Sequence, residues 1–451
     1  MTTLPEALPL PESLRQVLAS ALEAVDPYLA VKRALESPDL PTQALLAAPR
    51  VIVLALGKAA FPMARAAREV LGERIARGLV VTKAGYAPGE LPGFSVRIGG
   101  HPVPNEGSVR AAAAMLAALR GLRLDDAVLL LISGGGSALA TAPHLPLTLA
   151  DMQRTTELLL ASGATIQEIN AVRKHLDAVK GGGLARAAAP ARVVALVLSD
   201  VLGDPLDAIA SGPAVPDPTT FADAWRVLAR HGLTDRVPPA VREWLQRGVR
   251  GEIPETPKPG DPLFARVHHR IVGNLTLAVE AAAAEARRQG FHTAIATTAL
   301  QGEAREIGRG LAAVLQEMAR RDRPLPRPAC LLLGGETTVT LGETHGLGGR
   351  NQELALAAVE ALAGLPDVWL ISFATDGTDG PTDAAGAAAT GETFARARAL
   401  GFEPADFLRR HDAYAFWEAV GGLLRTGPTQ TNVNDLVLLV TMPSASPQGR
   451  A

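Results

Sequence analysis

Residues 51–60 read VIVLALGKAA, a run of apolar residues that stops at a glycine and a lysine and leads into an alanine-rich stretch. A fully buried parallel strand has this continuous apolar character, and the turn beyond its carboxyl end is where open α/β sheets bind ligands. The same order recurs along the chain. Val128–Ile132 precede SGGGSA (133–138), Val193–Leu198 precede SDVLGD (199–204), Leu331–Leu333 precede GGETT (334–338), and Trp369–Phe373 precede ATDGTDG (374–380). Repetition of strand, glycine turn and helix predicts an α/β fold whose N-terminal domain is Rossmann-like and three-layered around a parallel sheet. Bare amides in glycine turns suit anions, so the turns are expected to face one crevice and to handle phosphate or carboxylate.

At 451 residues the chain exceeds what one core usually holds, so two domains are expected. GVRGEIPETPKPGDPL (248–263) lacks apolar periodicity and is rich in proline and glycine, which marks a linker. The sequence thus predicts a Rossmann-like α/β domain over 1–250 and a smaller α/β domain over 264–451, the latter opening with a strand near Arg270–Val272. Leu14, Val17, Leu18, Leu22 and Val25 recur at helical spacing, so Pro11–Val25 is read as a helix on the first sheet. The terminal PSASPQGRA (443–451) is read as frayed.

Basic and acidic residues nearly cancel, 44 against 46, and aromatic content is 4%, which leaves little to track or stack on a nucleic acid. Cys330 is the single cysteine, so neither an intramolecular disulfide nor a thiolate metal cage can form, and a reducing cytoplasm fits. The N-terminal residues lack the pattern of a secretory signal, and the longest uncharged stretch (127–150) is interrupted by glycines and prolines, so no membrane span is expected. Only six lysines stand against thirty-eight arginines. On that background the lysines that abut glycine turns, Lys58 and Lys180, are informative.

Lys58, between a buried strand and a helix, is placed to hold a phosphate or carboxylate as a point charge. No P-loop and no dinucleotide fingerprint accompanies it. Ser133, Gly134, Gly135, Gly136 and Ser137 offer amides and hydroxyls for an anion. Asn170, Arg173, Asp177 and Lys180 form a polar helical stripe leading to the turn at Gly181. Asp200, nearest its strand end, suits Mg²⁺ binding or proton acceptance. In the second half Gly335, Glu336 and Thr337, with Gly349, Arg350 and Asn351 at a helix start, make the densest group, and a guanidinium there can stabilise a transferring phosphoryl group. Asp376 and Asp379 are offered as metal ligands, while TNVNDL (431–436) carries a weaker signal because Asx turns before strands are common. His101 and Asn105 of HPVPNEGS (101–108) are kept as substrate contacts.

Taken in order, GKAA, HPVPNEGS, LISGGGSA, NAVRKHLDAVKGGGLA, LSDVLGDPLDAIASGP, LLGGETTVT, GLGGRNQELAL, ATDGTDGPTDAAGA and NVNDL resemble the glycerate 2-kinase family, whose C-terminal part is the MOFRL domain. The resemblance runs from about residue 57 to 436. It implies phosphorylation of D-glycerate to 2-phosphoglycerate with ATP and Mg²⁺ in a cleft between the domains, with the family's active-site lysine on Lys58, its arginine on Arg350 and an acidic group on Asp200. Where family members tend to carry a glycine-rich, often basic loop before GGRNQE, this chain has GETHGL (342–347), with Glu343 and His345. Small-molecule substrates and a homodimer are the expected partners. A hydroxypyruvate reductase and a non-catalytic sugar-acid sensor are the alternatives. The choice of C2 over C3 as the phosphorylated position rests on the resemblance alone.

Overall fold

A computed structural model describes residues 4–5, 7–37 and 39–443; the end of the chain expected to fray lies, from residue 444 onward, outside the described residues. Two compact units emerge: Pro27–Val272, and the described parts of Met1–Asp26 with Gly273–Ala451.

The first unit is built on β1 (Val51–Leu56), β2 (Ile75–Thr82), β3 (Phe94–Ile98), β4 (Ala127–Ile132), β5 (Arg192–Leu198) and β6 (Val267–Gly273), in the order β3-β2-β1-β4-β5-β6. From β3 through β5 all neighbours are parallel. Every residue of β1 and β4 is buried, which is why both read as unbroken apolar runs. Leu54, Leu130 and Ala195 pack with Ala111 and Met115 of the helix Glu106–Ala118 in one core. The strand order reverses direction between β1 and β4, and this topological switch point opens a crevice beyond the strands' carboxyl ends. Register aligns Leu56 with Ile132 and Ile132 with Val197, so the turns carrying Lys58, the three glycines and Asp200 emerge side by side.

A second, smaller core lies beneath the helix Ile166–Leu176. Thr165 and Glu168 form a capping box at its start, and Ile169, Val172 and Leu176 pack with Phe221 and Leu245.

The second unit carries β7 (His292–Leu300), β8 (Ala329–Gly335), β9 (Val368–Ala374), β10 (Gly386–Thr390) and β11 (Asp435–Thr441), in the order β10-β9-β11-β8-β7. This sheet is mixed. β7 and β8 are parallel, whereas β11 lies antiparallel between β8 and β9 and pairs Asp435 with both Gly335 and Ala374. The stretch before β11 therefore meets the turns that follow β8 and β9. Cys330, inside β8, is buried, and burial pushes its thiol up to about 12.

Two features depart from the sequence reading of the domains. The helix Glu12–Ala24 packs against the helix Leu275–Arg288 of the second unit and not on the first sheet. Strand β6, read as the opening of the second domain, instead borders β5. Residues 248–263 do not act as a free linker, because polar side chains tie them to the first unit. Glu255 accepts from the amide of Phe221 at 2.9 Å and meets His175 Nε2 at 3.1 Å, and Thr256 donates to Asp217 at 2.9 Å. Such long-range polar anchors leave no periodic trace in sequence.

Leu18 is fully buried on the N-terminal helix. Leu18→Ala is expected to cost about 2–5 kcal/mol by leaving a cavity. Hydrogen exchange should show lost protection in Leu275–Arg288 with the strands β1 and β4 unchanged; loss spread equally over both units would contradict this packing.

Candidate active site

At the switch point of the first unit two turns are clasped together. The amide of Lys58 donates to the carbonyl of Gly134 at 2.9 Å, and the amide of Ala59 donates to Ser133 Oγ at 2.9 Å. Ser133, offered by the sequence as an anion ligand, is buried and occupied by this clasp. A Cβ on Gly134 would stand 2.0 Å from Asp200 Oδ2, and one on Gly135 would stand 2.9 Å from the His101 ring and 3.6 Å from Lys58 Cγ. The glycines thus do more than bare their amides. They let a lysine, an aspartate and a histidine from three separate turns crowd round one spot.

His101 is held neutral. Burial, and then the positive charges of Lys58 and Lys83, lower its imidazole to about 4. Lys83 follows β2, so it is a further cation near the crevice that the sequence reading passed over. Beside this spot lies a cavity of about 180 Å³ bordered by His101, Ser137, Thr156, Arg173 and Lys180. Ser137 Oγ lies 2.8 Å from Ser211 Oγ, which donates to Asn170 Oδ1 at 3.1 Å.

Lys180 corrects its sequence assignment as an anion ligand. Its ammonium meets Asp177 at 2.6 Å and the carbonyl of Ala140 at 3.0 Å, both in the interior, so its charge is already answered. Gly181, at φ 51°, donates its amide to Ser211 and serves the turn.

In the second unit the helix Arg350–Leu362 starts at Gly349 and is buried along most of its length. Arg350 donates from Nε to Asp435 at 2.5 Å and from a terminal nitrogen to the other Asp435 oxygen at 3.1 Å, while its remaining nitrogen lies 3.0 Å from Glu336. Burial alone would weaken the guanidinium, but Asp435 more than offsets it and its pKa is raised. Each terminal nitrogen keeps an N–H for a ligand. Asp435, treated by the sequence as part of an ordinary Asx turn, is therefore the residue that aims Arg350. Glu336 and Gly349 border a cavity of about 360 Å³ with Arg350, Thr337 and Thr338.

Two further sequence assignments change. Asp379, offered as a metal ligand, is 2% exposed, and its oxygens accept from the amides of Asn351 and Gln352 at 3.0 and 2.8 Å. It caps the helix. Burial raises its carboxyl to about 7 in spite of those amides. Asn351, offered as a substrate contact, is 1% exposed and is held by Asp379 and Ser372. Asp376 accepts from Thr378 in an Asx turn. Among the described residues no three His, Cys, Asp or Glu side chains gather to hold a metal ion.

Two family models match the chain: one described as a domain of unknown function (DUF4147) over residues 13–246, the other as the MOFRL family over residues 329–435. A D-glycerate 2-kinase of Thermotoga maritima is 45% identical, with 95% of this chain and 98% of that protein aligned. A glycerate kinase crystal structure from Thermotoga maritima superposes with a TM-score of 0.86 at 45% identity, over 96% of this chain and 100% of the other. The chain belongs to the glycerate 2-kinase family. An Agrobacterium vitis protein carrying a hydroxypyruvate reductase name is also similar, 44% identical over 94% of this chain and 92% of its own length. The motifs that carry the glycerate 2-kinase resemblance are those at the strand ends: GKAA, SGGGSA and SDVLGD in the first unit, and GGETT, GGRNQE, ATDGTDG and NVNDL in the second. No helix among the described residues is long and apolar enough to cross a membrane.

The depressed His101 supplies a test. Between its unfolded value near 6.5 and about 4 the unfolded chain takes up a proton that the folded site refuses, so this histidine costs stability as pH falls through that window. In an NMR titration His101 should protonate near pH 4. In Lys58→Met the value should rise yet stay below 6.5, because burial is the larger cause. An unchanged titration in the variant would place Lys58 away from the ring.

Proposed function

We propose that the protein transfers the γ-phosphoryl group of ATP to the C2 hydroxyl of D-glycerate, giving 2-phosphoglycerate and ADP. The observation that carries the reading is the convergence of Lys58, Asp200 and His101 over Gly134 and Gly135 at the switch point of a parallel sheet. It is supported by the family membership and by an arginine at a helix start held in position by Asp435.

Phosphoryl transfer rests on positioning and charge. Lys58 neutralises phosphate, Arg350 donates its remaining N–H groups to the oxygens of the transferring group, and Asp200 accepts the hydroxyl proton or shares in metal binding. The donor set fits Mg²⁺ only as a companion of the nucleotide, since this ion needs one or two carboxylates and takes its other oxygens from phosphates and water. Asp200 is the carboxylate that would hold the ion, which would supply neutralisation of the nucleotide's phosphate charge.

Arg350→Ala and Lys58→Met are each expected to lower kcat by roughly 10³ with the fold intact. The product from ATP and D-glycerate should feed enolase without phosphoglycerate mutase, which reports C2 phosphorylation; dependence on the mutase would move the reaction to C3. NADH oxidation with hydroxypyruvate and no ATP-dependent turnover would replace the kinase by the reductase reading.

A further inference from the structure

Among the described residues, Arg173 is the charged group lining the first unit's cavity that forms no ion pair, although Asp177 acts on it at longer range. It projects from the helix Ile166–Leu176 and lies half-buried at the cavity wall. Its one hydrogen bond among the described residues is from Nε to Thr156 Oγ1 at 3.4 Å, at the long limit for such a bond. Burial pulls the guanidinium below its ordinary range, with Asp177 opposing. The neighbouring charges are balanced in a different way. Asp177 is matched to Lys180, and its oxygens are further occupied by Thr141 and by the amides of Ala142 and Val179. With His101 neutral, the wall carries a net charge of one positive unit, and a guanidinium fork with unused N–H groups faces the space.

We propose that this cavity is the pocket for the acceptor's carboxylate, with Arg173 as the residue that restricts the enzyme to small hydroxy monocarboxylates; this rests on the kinase reading above. A single carboxylate matches both the charge and the planar fork, and the pair forms strong bidentate bonds. Ser137 and Thr156 supply hydroxyls beside it for the acceptor's own hydroxyl groups. The cavity of about 180 Å³ has room for a three-carbon acid. Gly135 lies between this cavity and the Lys58 turn, since a Cβ there would stand 2.9 Å from His101 and 3.6 Å from Lys58 Cγ, so an acid held by Arg173 lies close to the lysine that serves phosphate.

The test compares Arg173→Gln and Arg173→Lys with the wild-type enzyme. KM for D-glycerate should rise about 10²-fold in Arg173→Gln, with a smaller rise in Arg173→Lys. KM for ATP should not change. Unchanged KM for D-glycerate, or an equal rise in KM for ATP, would overturn the proposal. If Arg173→Gln does not fold, the Arg173 Nε–H resonance of the wild-type protein, assigned by its loss in Arg173→Lys, decides instead. It should shift on titration with D-glycerate and not with glycerol, and absence of a shift overturns the assignment. Failure of the kinase reading looks different, because the wild-type protein would then show no ATP-dependent turnover of D-glycerate at all.

Discussion

The clasp between the first and fourth strands' turns is the constraint on which the first unit's site depends. Lys58 and Ala59 donate their backbone amides to Gly134 and Ser133, so main-chain hydrogen bonds fix where the lysine stands. A side chain at Gly57 would run into Ser133, its Cβ 2.4 Å from the carbonyl oxygen, which means the two turns meet only because that position is bare. Parallel register then sets Asp200 beside them. A switch point in an open sheet supplies a crevice; the clasp determines which side chains stand in it.

Charge is managed differently in the two units. In the first, interior charges are mostly paired, as with Lys180 and Asp177 or with Lys174 and Asp217, and burial, with Lys58 and Lys83 nearby, holds His101 in its neutral form. In the second, a single arginine is held by two carboxylates and a helix start is sealed by a third. Removing one partner from such a buried group leaves the other uncompensated, which costs more than the pair contributes. That asymmetry makes Asp435 and Asp379 as necessary to the site as the residues they hold.

Much of this was legible in the chain. Continuous apolar runs ending in glycine turns identified β1, β4, β5, β8 and β9 but not the edge strands β3 and β10 or the partly exposed β2, and scarcity of lysine singled out Lys58. Arg350 was legible from its place behind two glycines at a helix start. Asp435 was not, because its role depends on β11 lying antiparallel between β8 and β9, and pairing between strands a hundred residues apart has no local signature. Lys180 and Asn351 were misread for the related reason that a polar residue beside a glycine turn looks the same whether it awaits a ligand or satisfies a buried neighbour. The reading of 248–263 as a linker failed in the same way, since its anchors reach back to Phe221, His175 and Asp217.

By itself the sequence determined the element types, the family and the set of glycine turns, because hydrophobic period and turn chemistry are local properties of the chain. Only the tertiary structure decided which side chains in those turns are held by buried neighbours, as Lys180 is by Asp177 and Asn351 by Asp379. It also decided which unit owns the first helix and the strand after residue 266. Those outcomes follow from strand order, register and long-range hydrogen bonds, which arise when distant segments meet.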